Sequence, residues 1–260
     1  MREKIISGID VGTTGVRVIV GGLGKDGKLR VLGAGTAPSE GTRKGAVVNV
    51  EEVSNAIKKA AAEAERISGF SVEAAYVSVG GAHIDSLSSK GIVAVSRPNG
   101  EISQEDINRV IQASQSFPLS PNKEILHIIP KEFKVDNESG IKDPNGMHGV
   151  RLEVECLIIE GSSSFIKNLV KAVEGAKIDV LGLIFSPLAA ARATLSERQK
   201  ELGSLILDIG GKTSGLAVFE EGSVIHAAVL PVGSAQVTGD LAIAFRVPID
   251  EAEKIKINYG

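Results

Sequence analysis

The chain has 260 residues, 43% of them hydrophobic, and a formal net charge of −3. That length and apolar content suffice for a sizeable core in one or two domains, and the near-neutral balance excludes a broad electrostatic footprint for nucleic acid. A single cysteine, Cys156, excludes an internal disulfide framework and fits a reducing cytoplasm.

The opening MREKIISGID passes from charge straight into a strand pattern, without the long apolar stretch and small-residue cleavage site of a secretory signal. No window stays apolar over the length that spans a bilayer, so a soluble, cytoplasmic chain is expected.

In chain order, strands are predicted at Ile5 to Asp10, Val16 to Gly21 and Leu29 to Thr36, followed by a polar loop from Pro38 to Gly45. Val53, Ile57, Ala60, Ala64 and Ile67 recur at helical spacing, which predicts a helix over Glu51 to Ser68. Another strand, AAYVSVGG, ends at Gly81. From Ala82 the composition turns to more local charge and turn residues: a strand from Gly91 to Ser96, a helix capped by Ser103 with Asp106 three residues on, and a strand from Glu124 to Val135. DNESGIKDPNGMHG reads as a long polar loop, and a strand from Arg151 to Glu160 closes the block. Within it, Cys156 alternates in phase with Leu152, Val154 and Ile158, on the buried face.

This block reads as an inserted α/β module. A helix from Ser164 to Glu174, a strand from Ile178 to Phe185 and a helix from Pro187 to Leu195 then restore the βα rhythm of the opening, and the fold class is α/β. Three strands joined by short turns begin at LGSLILDIGG, and helices follow at Ala235 to Phe245 and Glu251 to Ile257.

Two segments carry the functional signal. GIDVGTTGVRVIV, Gly8 to Val20, is an apolar run, a small-residue turn and a second run, the pattern of a β-hairpin. Its Asp10 sits at the end of a strand expected to be buried, where a carboxylate is costly unless its charge is compensated. LDIGGKTSGLAVF repeats the arrangement: superimposing Asp208 on Asp10 aligns Gly210 with Gly12, and Leu216 and Val218 with Val18 and Val20. A duplicated fold is the economical explanation. Two such units can clasp a phosphate chain, because turn amides donate to phosphate oxygens and small residues let the backbone approach. Asp10 and Asp208 then face a hydrated Mg²⁺, with Thr13, Thr14 and Thr213 adding hydroxyl donors. For either hairpin alone, the plain alternative is an Asp serving as a turn residue.

At these residues the chain resembles the actin-like ATPase superfamily and, within it, the FtsA family of bacterial cell division. The two hairpins are similar to that superfamily's first and second phosphate loops. The segment ILHIIPKEFKVDNESGIKDPNGMHGVRLEVECLII resembles the FtsA family's distinctive subdomain 1C, and LPVGSAQVTGDLAIAFRVPIDEAEKIKINYG the segment after the second loop.

The resemblance implies an actin-like, ribonuclease H-like duplicated fold with an inserted subdomain 1C and a truncated second lobe. Subdomain 1A would comprise residues 1–81 and 162–199, 1C residues 82–161, the start of 2A residues 200–246 and the start of 2B residues 247–260. It implies ATP and Mg²⁺ at Asp10, Gly12, Thr13, Thr14, Asp208, Gly210, Gly211, Lys212 and Thr213, with Glu253 and Lys256 reaching the ribose. It further implies filaments assembled through 1C, a tether for the tubulin-like protein FtsZ, and a place at the cytoplasmic membrane. Relatives are longer, carrying the rest of the adenosine site and a C-terminal membrane-anchoring helix, so an N-terminal fragment is expected. The FtsZ-binding surface is expected to lie mostly in the part of 2B outside it.

Departures from the family pattern bear on activity. Gly15 stands where relatives often have Lys, Lys212 replaces a usual Gly, and Gly215 stands where many have Asp. Lys212 either adds charge to a phosphate or points to solvent. Ser186 occupies the position where brisk hydrolases of the superfamily carry Glu or Gln to orient the attacking water, so hydrolysis is expected to be weak at most. Ser186 before Pro187 also reads as a helix N-cap, and Asp250 with Glu253 as a capping box beside a solvated Lys256.

The rival readings are a small-molecule kinase on the same fold and an actin-like scaffold of pilus assembly. A kinase requires a further carboxylate facing an acceptor pocket, and no such residue stands out. His83, His127, His148 and His226 lie on separate elements without ligand spacing, which argues against a metal site built from them. No Gly-x-Ser-x-Gly elbow is present.

Overall fold

The computed structural model describes residues 4–25, 27–116 and 120–260. The first sheet is built from β1 (Lys4–Val11), β2 (Gly15–Leu23), β3 (Leu29–Pro38), β6 (Ala74–Val79) and β11 (Asp179–Phe185), in the order β11-β6-β1-β2-β3. β1, β2 and β3 are antiparallel, and β6 runs parallel to both β1 and β11. A small hairpin of β4 (Thr42–Arg43) and β5 (Ala46–Val47) lies between β3 and α1 (Val50–Ser68).

The helix α1 forms because its Val53, Ile57, Ala60 and Ala64 share one buried face. Asn49 caps its start, accepting from the amides of Glu51 and Glu52, and Gly69 ends it in the left-handed conformation. The helix lies almost on the backbone of β3. A Cβ on Gly35 would come within 2.0 Å of the Ala60 carbonyl oxygen, and one on Gly33 within 2.6 Å of that of Ala64. Only glycine permits that approach.

The second sheet, all antiparallel, comprises β7 (Ile84–Ala94), β8 (Lys123–Val135), β9 (Glu138–Ile141) and β10 (Arg151–Ser162), in the order β7-β10-β8-β9. Helix α2 (Gln104–Ala113) packs on β7 by the same device, since a Cβ on Gly91 would meet the Val110 carbonyl oxygen at 2.0 Å. Its start carries the expected box: Ser103 accepts from the Asp106 amide, and Asp106 accepts from the Ser103 amide.

Strand β10 is a shared wall. Leu152, Val154, Cys156 and Ile158 face the core beneath α2, while Leu157 and Ile159 face the core of the first sheet. Helix α3 (Ser163–Gly175) leads from it back to β11. Helices α4 (Ser186–Thr194) and α5 (Glu197–Leu202) precede the third sheet, a meander of β12 (Ser204–Ile209), β13 (Ser214–Glu220) and β14 (Ser223–Leu230), after which come α6 (Ser234–Phe245) and α7 (Ile249–Tyr259).

Four expectations are corrected. The loop expected from Asp136 contains β9, which adds to the sheet through the Phe133–Ile141 and Val135–Glu138 pairs. β7 starts at Ile84, seven residues before Gly91, because β10 pairs with it continuously from Gly161↔Ile84 to Arg151↔Ala94. The polar loop to Gly45 runs into the β4–β5 hairpin, whose Lys44 and Gly45 both have positive φ, 49° and 76°, as a tight two-residue reversal requires. Helix α5 was not anticipated, although Ser196 and Gln199 form its capping box. Among the described residues, no helix is long and apolar enough to cross a membrane.

Candidate functional site

The two hairpins superpose in hydrogen bonding as well as in spacing. In the first, the Gly12 amide donates to the Gly15 carbonyl at 3.0 Å, and in the second the Gly210 amide donates to the Thr213 carbonyl at 2.9 Å. Strand register places Asp10 opposite Arg17 and Asp208 opposite Gly215. The tips touch: a Cβ on Gly211 would stand 2.6 Å from Thr14 Cγ2. Residues far apart in the chain therefore form the facing walls of one cleft.

That cleft measures about 380 Å³ and is lined by Asp10, Gly12, Thr13, Thr14, Asp208, Gly210, Gly211, Thr213 and Ser186. Among the described residues, the amides of Thr13, Thr14, Gly211 and Lys212 have no backbone partner. Such amides at glycine-rich turns suit phosphate oxygens.

Asp10 is not the buried carboxylate expected from its strand. Its side chain is 45% exposed and is already paired, with Arg17 Nη1 at 3.3 Å and with Ser78 Oγ, which donates to Oδ1 at 2.5 Å. Its charge is thus answered within the protein, because the hairpin sets an arginine directly across from it. Asp208 has no such neighbour on its own hairpin. Burial, then the negative charge of Asp10, raise its carboxyl above the ordinary value, with Arg17 opposing. Two carboxylates that repel one another across a cleft, beside free amides and hydroxyls, match the donor set of a hydrated divalent cation bound to phosphate.

Ser186 lines the cleft, but it does not cap α4. The helix begins at Ser186 itself, Phe185 occupies the cap position, and no side-chain cap bond is made. Pro187 follows and abuts the second loop, where a Cβ on Gly215 would lie 2.6 Å from Pro187 Cγ. That contact explains the absence of a side chain at position 215. Lys212 is exposed and does not line the cleft, while Gly15 accepts the turn bond of the first loop.

Glu253 and Lys256 are brought together on α7, beside the first turn of α6. Lys256 Nζ donates to Glu253 Oε2 at 2.6 Å, to Thr238 Oγ1 at 2.9 Å and to the Ser234 carbonyl at 3.4 Å. The expected Asp250–Glu253 box does not form: α7 starts at Ile249 after Pro248, and Glu253 instead accepts from Thr238 and Lys256. Those hydrogen bonds hold the Glu253 carboxyl below its ordinary value. Lys256 is only 19% exposed, so it is a pinned rather than a solvated lysine. The pair is not part of the cleft lining, but Ser234, whose carbonyl Lys256 touches, is.

Sequence reasoning missed Arg17, Ser78, Gly45, Gly80, Gly81 and Ser234. Arg17 was legible from hairpin register. The small β4–β5 hairpin reaches the cleft because Gly45 and Gly81 meet closely, a Cβ on Gly45 standing 2.5 Å from the Gly81 Cα.

Comparison with known proteins decides the family. The profile "SHS2 domain inserted in FTSA" matches residues 81–160, and the profile "Cell division protein FtsA" matches residues 205–260. The cell division protein FtsA of Pseudomonas aeruginosa is 40% identical over 257 residues, 99% of this chain and 61% of that protein. FtsA of Bacillus subtilis is 41% identical over 258 residues, 99% of this chain and 58% of that protein. The chain belongs to the FtsA family. It spans about three-fifths of the length of the curated FtsA proteins it matches.

Solved structures place the FtsA-family chain on the actin-like fold. A type IV pilus PilM-PilN complex covers 98% of it with a TM-score of 0.71 at 16% identity, and 69% of that chain is matched. MreB of Spiroplasma citri, solved bound to AMPPNP, covers 99% with a TM-score of 0.50 at 12% identity, matching 63% of that chain. At such identities the likeness concerns the fold alone.

Proposed function

We propose that the cleft binds ATP with Mg²⁺ and that the chain acts as the nucleotide-binding part of a bacterial cell-division protein. The observation that carries this reading is the contact of the two glycine-rich tips, Gly211 against Thr14, with Asp10 and Asp208 on the same cleft. The amides and hydroxyls of Thr13, Thr14, Gly211 and Thr213 hold phosphate oxygens, and Asp10 and Asp208 hold the hydrated cation. When bound, the cation would supply neutralising charge to Asp10, Asp208 and the phosphates. Glu253 and Lys256, fixed beside Ser234, are the groups assigned to the ribose.

Ser186 offers neither the carboxylate nor the amide that orients a water for attack, so turnover is slow or absent and the chain is at most a weak ATPase. The wider role in this proposal follows FtsA-family membership: self-association through the segment 82–161, attachment of FtsZ by a surface mostly outside this span, and a place on the cytoplasmic face of the membrane at the division site. Nucleic acid is no part of it.

Calorimetric titration of Mg-ATP into the chain and its Asp208→Ala variant tests the reading. Saturable binding that disappears in the variant is expected. No binding by either would mean that the substitutions at Gly15, Lys212 and Gly215 have retired the site.

A further inference from the structure

His127 belongs to β8, in the inserted sheet, yet its ring leaves that sheet to reach the floor of the cleft. Its Nε2 accepts a hydrogen bond from the Phe185 amide at 2.9 Å. Phe185 ends β11 and is fully buried, and Phe185, Ser186 and Pro187 all line the cleft. Pro187 then abuts Gly215 of the second loop. A continuous path of contacts therefore runs from the insert, through the end of β11, to the facing hairpin.

A second tie lies beside it. Ser86 Oγ, on β7 of the same sheet, donates at 2.5 Å to the carbonyl of Ala227 on β14, the strand that contributes Val229 to the cleft. The insert thus grips both walls. Burial lowers the basicity of His127, which keeps the ring neutral near pH 7 with its proton on Nδ1 and its lone pair on Nε2.

We propose that His127 is a positioning residue: an imidazole acceptor supplied by the inserted sheet fixes the Phe185–Ser186–Pro187 turn, and through Pro187 it sets the second phosphate loop. The insert and the cleft are then mechanically coupled. The proposal rests on the reading of the cleft as a nucleotide site, but its physical core, the link from insert to loop, does not.

The test compares wild type, His127→Leu and His127→Gln by hydrogen–deuterium exchange, with Mg-ATP titration alongside. Leucine fills the volume without an acceptor, whereas the Gln Oε1 extends into the region of Nε2 and restores one. In His127→Leu, residues 185–188 and 209–215 are expected to exchange about five- to tenfold faster, with α1 and β1 unchanged, and His127→Gln recovers most of the protection. Mg-ATP affinity falls severalfold in the leucine variant and returns with glutamine.

Wild-type exchange in both segments, uniformly faster exchange along the whole chain, or glutamine no better than leucine would each overturn the positioning role. If wild type fails to bind Mg-ATP while the local exchange pattern appears as expected, the nucleotide reading fails and the positioning role stands.

Discussion

Gly215→Ala probes the seam between the second loop and the floor of the cleft. A Cβ there would sit 2.6 Å from Pro187 Cγ. Carbon atoms rest at about 3.5–4.0 Å, so roughly 1 Å of separation must be found. The proline cannot swing away as a rotatable side chain can, because ring closure fixes its φ and leaves Cγ only a change of pucker, and it is buried in the first turn of α4. Overpacking of this kind costs about 1–3 kcal/mol. For a chain of this size that lowers the melting temperature by roughly 3–10 °C. The strain falls between two walls of the cleft, so Mg-ATP affinity is expected to fall as well. Thermal melts with and without Mg-ATP measure both effects. Pro187→Ala in the same chain should relieve the clash, giving a coupling of about 1 kcal/mol or more in the double-mutant cycle. A single variant that melts like wild type, or strictly additive effects in the pair, would refute the packing argument.

Two further outcomes follow from the same geometry. The raised pKa of Asp208 means that the folded chain holds this proton more readily than the unfolded one, so the group favours folding at acidic pH and that contribution is lost as pH rises through the raised value. Asp208→Asn should therefore melt higher than wild type at pH 7, with the gap closing toward pH 4, while losing any stabilisation by Mg-ATP; a lower melting point at pH 7 would contradict the like-charge account. Cys156 is fully buried and burial raises its thiol pKa. A thiol reagent should label it only as denaturant unfolds the chain, and rapid labelling of the native protein would show that β10 opens locally.

Local patterns in the sequence determined a good deal. Helical spacing marked the buried face of α1, alternation put Cys156 inside, and the Ser103–Asp106 box started α2, because each of these depends on neighbours within a few residues. The matched hairpins were legible for the same reason, and so was the pairing of Asp10 with Arg17, since a hairpin fixes its own register. The capping box of α5 was equally local and was overlooked.

Other features depended on elements distant in the chain. Ser186–Pro187 and Asp250–Glu253 had the residues of caps, but α4 begins one position and α7 two positions before the starts those caps would set, and Glu253 finds Thr238 and Lys256 instead. Alternation along β10 revealed one buried face and concealed the second, which exists only because the first sheet packs against it. Nothing in ILHIIP states that His127 reaches the Phe185 amide. The sequence by itself determined two matched glycine-turn hairpins and the carboxylates at their strand ends. Their meeting at Gly211 and Thr14, and the insert's hold on the cleft floor, were decided by tertiary packing, because backbone hydrogen bonding is written locally whereas contact between loops depends on how whole sheets stack.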